Sequence, residues 1–262
     1  MKCLEAYRSK QVREANRMLR VILESPDESA IHDFRVGMKR INALYRFLAE
    51  IDGSLRARRL LKPYRGLFKR LGPVREAHIA LHLIEDMEAN PARESGLLLT
   101  ALRTRASRDY RHFRDYGRSE GPAAIRLPTI RATGISNAGL LRHRQAALDG
   151  LIRQAASTGN RMNAAQWHGK RILLKRYHHL VDAFSGCPGR AEDERVMKGI
   201  VLLEQLLGDW HDRVVSAEIL DSLPGPDANR KALAATMKKQ AGQLLGSAKI
   251  YLKKLDSRIV ES

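Results

Sequence analysis

The feature that most constrains this chain is that it carries one amphipathic helix twice. The segment IHDFRVGMKRINALYRFL begins at Ile31 and WHGKRILLKRYHHLVDAF begins at Trp167, so the offset is 167 − 31 = 136 positions. At that offset His32 meets His168, Arg35 meets Arg171, Lys39 meets Lys175, Arg40 meets Arg176 and Leu44 meets Leu180. A second stretch obeys the same shift without a gap: Leu71-Gly72 falls on Leu207-Gly208, Glu76 on Asp212 and Ile79 on Val215. Two separate motifs sharing one offset mark a tandem duplication, so a unit built from the first half is built again from the second.

Apolar residues recur at three- and four-residue spacing in segment after segment, and the strict alternation of a half-buried strand is absent, which predicts an all-α chain. One helix is expected from Cys3 to Leu23. The next is expected to follow Ser25-Pro26-Asp27-Glu28, with Ser25 as cap, Pro26 at the first position and Glu28 closing a capping box, and to run to Ile51. After Asp52-Gly53-Ser54 a third continues to a break or kink at Leu71-Gly72-Pro73 and on to Met87; Asn90-Pro91 separates it from a helix ending near Gly117. Four long elements thus make one unit. Residues 118–138, poor in periodicity and rich in turn formers, read as a linker between a first repeat at 1–117 and a second at 139–262.

At about 100° per residue, His32, Arg35, Lys39, Ala43 and Arg46 share one side of the first copy, while Phe34, Met38, Ile41, Tyr45 and Leu48 occupy the other. In the second copy His168, Arg171, Lys175 and His179 form the polar line, and Leu174, Tyr177, Val181 and Phe184 the apolar one. A basic helix face is usually no more than a solvated face. Here it recurs in both halves, and no carboxylate follows Arg35, Lys39, Arg171 or Lys175 at i+4 to neutralise it. An external anion is the natural counterion.

The whole chain points the same way. Forty-seven Lys and Arg against 29 Asp and Glu leave a net charge of +18 over 262 residues, far more than solubility asks, so nucleic acid, an anionic membrane surface or a phosphate polymer is implied as partner. Further basic clusters stand at Arg103, Arg105, Arg108, Arg111 and Arg114, and at Lys238, Lys239, Lys249, Lys253 and Lys254; about half of such side chains are expected merely to be solvated. Aromatic residues are only 5% of the chain, which argues against recognition of single-stranded bases by stacking. No apolar run is long enough to span a bilayer or serve as a signal-peptide core. The two cysteines, Cys3 and Cys187, are too few for a disulfide framework and are not spaced as metal ligands, so a reducing, cytoplasmic setting is expected.

The motif H-x-x-R-[VI]-x-[ML]-K-R in both halves, with LGPVREAHI and LLGDWHDRVVSAEIL, resembles the conserved histidine α-helical domain, or CHAD, family over nearly the full chain. The resemblance implies two pseudo-symmetric four-helix bundles packed around a basic groove or pore that binds inorganic polyphosphate. It implies contacts from His32, Arg35, Lys39, Arg40, His168, Arg171, Lys175 and Arg176; the face geometry adds Arg46 and His179. The chain departs from the family pattern at Asn42 and His178, where another Arg is usual, and at Glu76, where Asp is usual. Such a chain is a non-catalytic binder with no cofactor, acting in the cytoplasm at polyphosphate granules and recruiting or scaffolding other granule proteins. A protonatable His32 and His168 imply tighter binding at pH 6 than at pH 8.

Other chemistries are less well supported. Asp209 is expected to cap a helix after Gly208, with Asp212 in its first turn, rather than to form a catalytic carboxylate pair with Glu76. His78 and His82 have metal-pair spacing but lack the Glu of HExxH and a third ligand. His211 is equally compatible with a structural role and a phosphate contact. A non-sequence-specific nucleic-acid binder is the competing reading, with nucleic acid otherwise the weaker competitor for the same surface; no helix-turn-helix or zinc-finger motif supports it.

Overall fold

The computed structural model describes residues 1–88, 91–130, 136–157, 162–188, 194–224 and 228–260, without the side chains of residues 91–94, 194–195 and 256–260. Among the described residues all regular structure is helical. Two long helices open the chain, α1 (Lys2–Glu24) and α2 (Glu28–Ile51). A short α3 (Ala57–Leu61) and a 3-10 turn (Lys62–Tyr64) then lead into α4 (Arg65–Met87) and α5 (Pro91–Ser119). The second half supplies α6 (Asn137–Ala156), α7 (Ala164–Phe184), α8 (Glu194–Ser222) and α9 (Ala228–Val260).

The duplication reaches down to the helix caps. Asp27 caps α2 by accepting from the Ala30 N–H at 2.6 Å. Asn163, 136 positions on, caps α7 by accepting from Gln166 N at 2.9 Å, and the Gln166 side chain closes a capping box on the Asn163 N–H at 2.8 Å. The expected Ser25 cap is therefore corrected: Ser25 ends α1, and the helix begins two residues later, where a carboxylate can take an orphan N–H. Asp27→Ala should cost about 1 kcal/mol of stability, read as a shifted urea midpoint at unchanged slope.

Two expected breaks are absent and one appears elsewhere. Helix α4 runs through Pro73. Gly72 precedes that proline and has no Cβ to collide with the pyrrolidine ring, which removes much of the usual penalty. The real interruption lies before α4, at the 3-10 turn that carries Pro63. Helix α8 likewise passes through Gly208, so Asp209 and Asp212 sit within the helix rather than at its start. Asn90 and residues 131–135 of the expected linker lie outside the described residues.

The described part of that linker is firmly held. An extended segment has no internal ladder, so its backbone groups need partners from neighbouring side chains. Asn16 both donates to Ile125 O (3.1 Å) and accepts from Ile125 N (2.7 Å). Tyr64 donates to Arg126 O at 2.6 Å, Arg8 to Leu127 O at 3.1 Å and Tyr45 to Pro128 O at 2.5 Å, while Glu5 accepts from Ile130 N at 2.7 Å.

Helix α2 lies against α7, and α4 against α8; α1 backs α2, α5 backs α4, and α9 backs α8. The apolar faces read from the sequence are buried: Phe34, Ile41, Tyr45, Leu174, Tyr177 and Phe184 all belong to the main core, which is continuous across both halves. Phe47 of α2 meets Phe184 of α7 edge to face at 5.3 Å. A second cluster joins Ile84, Leu102, Leu220 and Met237 from α4, α5, α8 and α9. A disulfide joins Cys3 to Cys187 with Cα atoms 5.2 Å apart, against the expectation of unpaired thiols. It ties the start of α1 to the segment just after α7. Their separation of 184 residues is why no spacing rule found the pair. No helix among the described residues is long and apolar enough to cross a membrane.

Candidate functional site

Packing α2 beside α7 and α4 beside α8 leaves a cavity of about 750 Å³ between the four helices. The polar lines of the two repeated helices form its basic wall. Nine of the ten residues selected from the sequence line it: His32, Arg35, Lys39, Arg46, His168, Arg171, Lys175, Arg176 and His179. Arg40 does not. One residue beyond Lys39, it is turned about 100° around the helix and pairs with Asp182 of α7 at 3.3 Å, beside the Tyr7 hydroxyl, which donates to the same carboxylate at 2.7 Å. Its repeat mate Arg176 lines the cavity but is also engaged by Glu50 of α2. Each of these arginines thus holds a carboxylate of the opposite half.

The opposite wall brings residues that the helix-face argument missed. Arg75, Glu76, Glu204, Asp209, His211 and Asp212 reach the cavity from α4 and α8. The signal was present in the repeat, since Arg75 and His211 lie at the same offset as Glu76 and Asp212, but which helix would face the basic wall depends on packing. The carboxylates temper the basic wall from across the cavity: Glu76 favours the charged form of Arg35, and Asp212 and Glu204 that of Arg171. The expectation that this line is wholly uncompensated is corrected to that extent. Even so, Lys39, Lys175, Arg35 and Arg171 make no ion pair within 4.0 Å among the described residues.

Local contacts differ from residue to residue. Arg35 donates to Phe68 O at 2.7 Å and stacks over the Phe68 ring at 4.3 Å. Arg75 pairs with Glu28 at 2.5 Å, and His82 reaches the same carboxylate at 3.0 Å; His78 stands 3.9 Å from it. The described residues contain no cluster that could hold a metal ion, so the His78/His82 pair is accounted for by Glu28. His168 packs its ring on His211 at 4.8 Å between centroids. His178 turns out of the cavity and meets Glu204 at 2.7 Å.

Crowding cations in a partly dry space disfavours their charged forms. Burial, then Lys175, Arg35 and Arg171, pull Lys39 down to about 7. Burial and Arg171 also lower Lys175, and burial lowers both Arg35 and Arg171 from a much higher starting point. His32 is lowered by desolvation and Arg75, and His168 by desolvation and His211. Burial drives His179 down to about 3, so it is neutral at working pH. His178 moves the other way because its hydrogen bond to Glu204 favours the imidazolium.

The exposed basic clusters of α5 and α9 lie outside this cavity. Several are matched by nearby carboxylates, with Arg103 on Glu85 at 3.3 Å, Arg108 on Asp109 at 3.1 Å and Lys238 on Asp221 at 2.8 Å. The cavity is where basic side chains converge without such partners.

Known structures share this architecture. The crystal structure of the CHAD domain from the plant Ricinus communis superposes with a TM-score of 0.68 at 20% identity, covering 98% of this chain and 89% of that one. PptA from Streptomyces chartreusis superposes at 0.67 with 16% identity, covering 97% of this chain and 98% of that one. No curated protein sequence matches the chain. A model of the CHAD domain matches residues 6–221, spanning both copies of the basic helix, and the chain therefore belongs to the CHAD domain family.

Proposed function

We propose that this chain binds inorganic polyphosphate in the cavity between α2, α4, α7 and α8 and catalyses no reaction on it. The observation that carries the reading is the convergence of Arg35, Lys39, Arg171 and Lys175, two from each repeat, on one concave wall where burial disfavours all four charges. Such an arrangement costs stability in the empty protein and is offset by a ligand that brings several negative charges along a line. A flexible chain of phosphoryl groups does so, accepts charge-assisted hydrogen bonds from arginine and lysine alike, and needs no aromatic platforms. Membership of the CHAD family supports the same ligand. At granules, the bound polymer would give the chain a recruiting or scaffolding role in the cytoplasm.

The test is calorimetric titration with long-chain polyphosphate in the presence of excess orthophosphate or duplex DNA. Binding to polyphosphate that persists against both competitors is the expected result. Equal preference for DNA would replace this reading with general binding of nucleic acid to a basic surface, whose affinity falls steeply with salt.

A further inference from the structure

The two halves of the cavity are matched in sequence but not in the hydrogen bonds they have left to give. In the first half Arg35 is held by Phe68 O at 2.7 Å and Arg75 by Glu28 at 2.5 Å. Their repeat mates are not so held. Arg171 donates to no acceptor among the described residues, and its Nε is buried without a partner. The position matching Phe68 is Glu204, whose carboxylate is engaged by His178 at 2.7 Å. His211, the mate of Arg75, has a buried Nδ1 with no hydrogen-bond partner and only Asp212 nearby at 3.5 Å. Ser216 also lines the cavity; it is wholly buried, yet its hydroxyl has no partner. Its mate is Ala80, so that hydroxyl exists in the second half alone.

Buried donors without partners are rare because each costs roughly 1–3 kcal/mol. Three of them facing one side of one cavity ask for a shared acceptor. Resting on the polyphosphate reading, we infer that the half-cavity formed by α7 and α8 is the anchoring subsite: it alone takes a short condensed phosphate or the end of a polymer. The α2/α4 half engages only longer chains. Arg171, His211 and Ser216 supply the anchoring donors, and Lys39 and Lys175 supply charge between the halves.

Tripolyphosphate and long-chain polyphosphate, titrated separately by calorimetry, test this in wild type, Arg35→Gln, Arg171→Gln and Ser216→Ala. Losing a charge-assisted hydrogen bond is worth roughly tenfold or more in affinity. With tripolyphosphate, the loss caused by Arg171→Gln is expected to exceed that caused by Arg35→Gln about tenfold, whereas with the long chain the two losses converge. Ser216→Ala removes a buried, unpartnered hydroxyl, so it should keep or raise the melting temperature while weakening tripolyphosphate a few-fold; it carries the test if Arg171→Gln folds poorly. Equal losses from the two arginine variants on tripolyphosphate, an unaffected Ser216→Ala, or binding of the long chain without any binding of tripolyphosphate would each overturn the anchoring subsite. If wild type binds neither ligand, it is the polyphosphate reading itself that fails.

Discussion

The double variant Lys39→Met/Lys175→Met will hold long-chain polyphosphate at least about a hundredfold more weakly than wild type, and will melt at a higher temperature when empty. The first effect follows from losing two charge-assisted contacts, each worth about 1.5–3 kcal/mol in a partly dry site, where tenfold in affinity is about 1.4 kcal/mol. The second follows from the same geometry with opposite sign. Both lysines are largely desolvated, each lies in the field of Arg171, and neither has an ion-pair partner within reach. A methionine of similar length keeps the packing and removes the buried charge. A gain of about 1 kcal/mol would raise the melting temperature by roughly 2–4 °C for a chain of this size. Thermal melts with and without polyphosphate check both parts at once: wild type should gain stability on addition of ligand and the variant should gain little. A variant that is less stable when empty would show that the lysines stabilise the fold, and unchanged affinity would remove them from the site.

Polyphosphate binding will take up protons at pH 8 and weaken about tenfold per pH unit above 7, because of Lys39 alone. In the empty cavity its ammonium is pulled down to about 7, and a polyanion beside it restores the charged form. Affinity therefore falls as pH rises through the free-state value, with a limiting slope of about one proton per site. For the empty protein the sign is the reverse. Between about 7 and the ordinary lysine range the unfolded chain holds a proton at Lys39 that the folded chain lacks, so this group makes the fold more stable as pH rises across that window. The histidines move the argument less than their sequence positions suggest. Desolvation and neighbouring cations lower both His32 and His168, so their protonation falls below the ordinary histidine range and contributes at acid pH. The expected preference for pH 6 over pH 8 stands, carried chiefly by a lysine. Calorimetry in two buffers of different ionisation heat measures the proton uptake directly. Lys39→Arg, which stays charged throughout, should abolish it; uptake that persists in this variant would point to another group.

Much of this was legible in one dimension. Helical periodicity and the repeat offset are local and self-consistent, because an α-helix places every third or fourth residue on one face whatever surrounds it. The all-α fold, the buried faces of α2 and α7, and nine of the ten selected cavity residues follow from that regularity. Arg40 did not, since its side chain lies between the two faces and Asp182 on the neighbouring helix decides where it turns. Nor did the caps and breaks: Ser25 and Asp27 are both good cap formers, and Pro73 is tolerated only because Gly72 precedes it within α4.

What the chain determines by itself is thus the element type, the duplication and the chemical character of each face, all set by neighbours a few residues away. The tertiary structure alone decides which faces meet. It places the carboxylates of α4 and α8 across from the basic wall, and it brings Cys3 to Cys187 over 184 positions. It also lets Phe68 O and Glu28 engage the arginines of one half while leaving the donors of the other half free. Two sequence-matched half-sites become unequal because hydrogen bonding depends on positions within a few tenths of an ångström, and those are fixed only when separate helices pack.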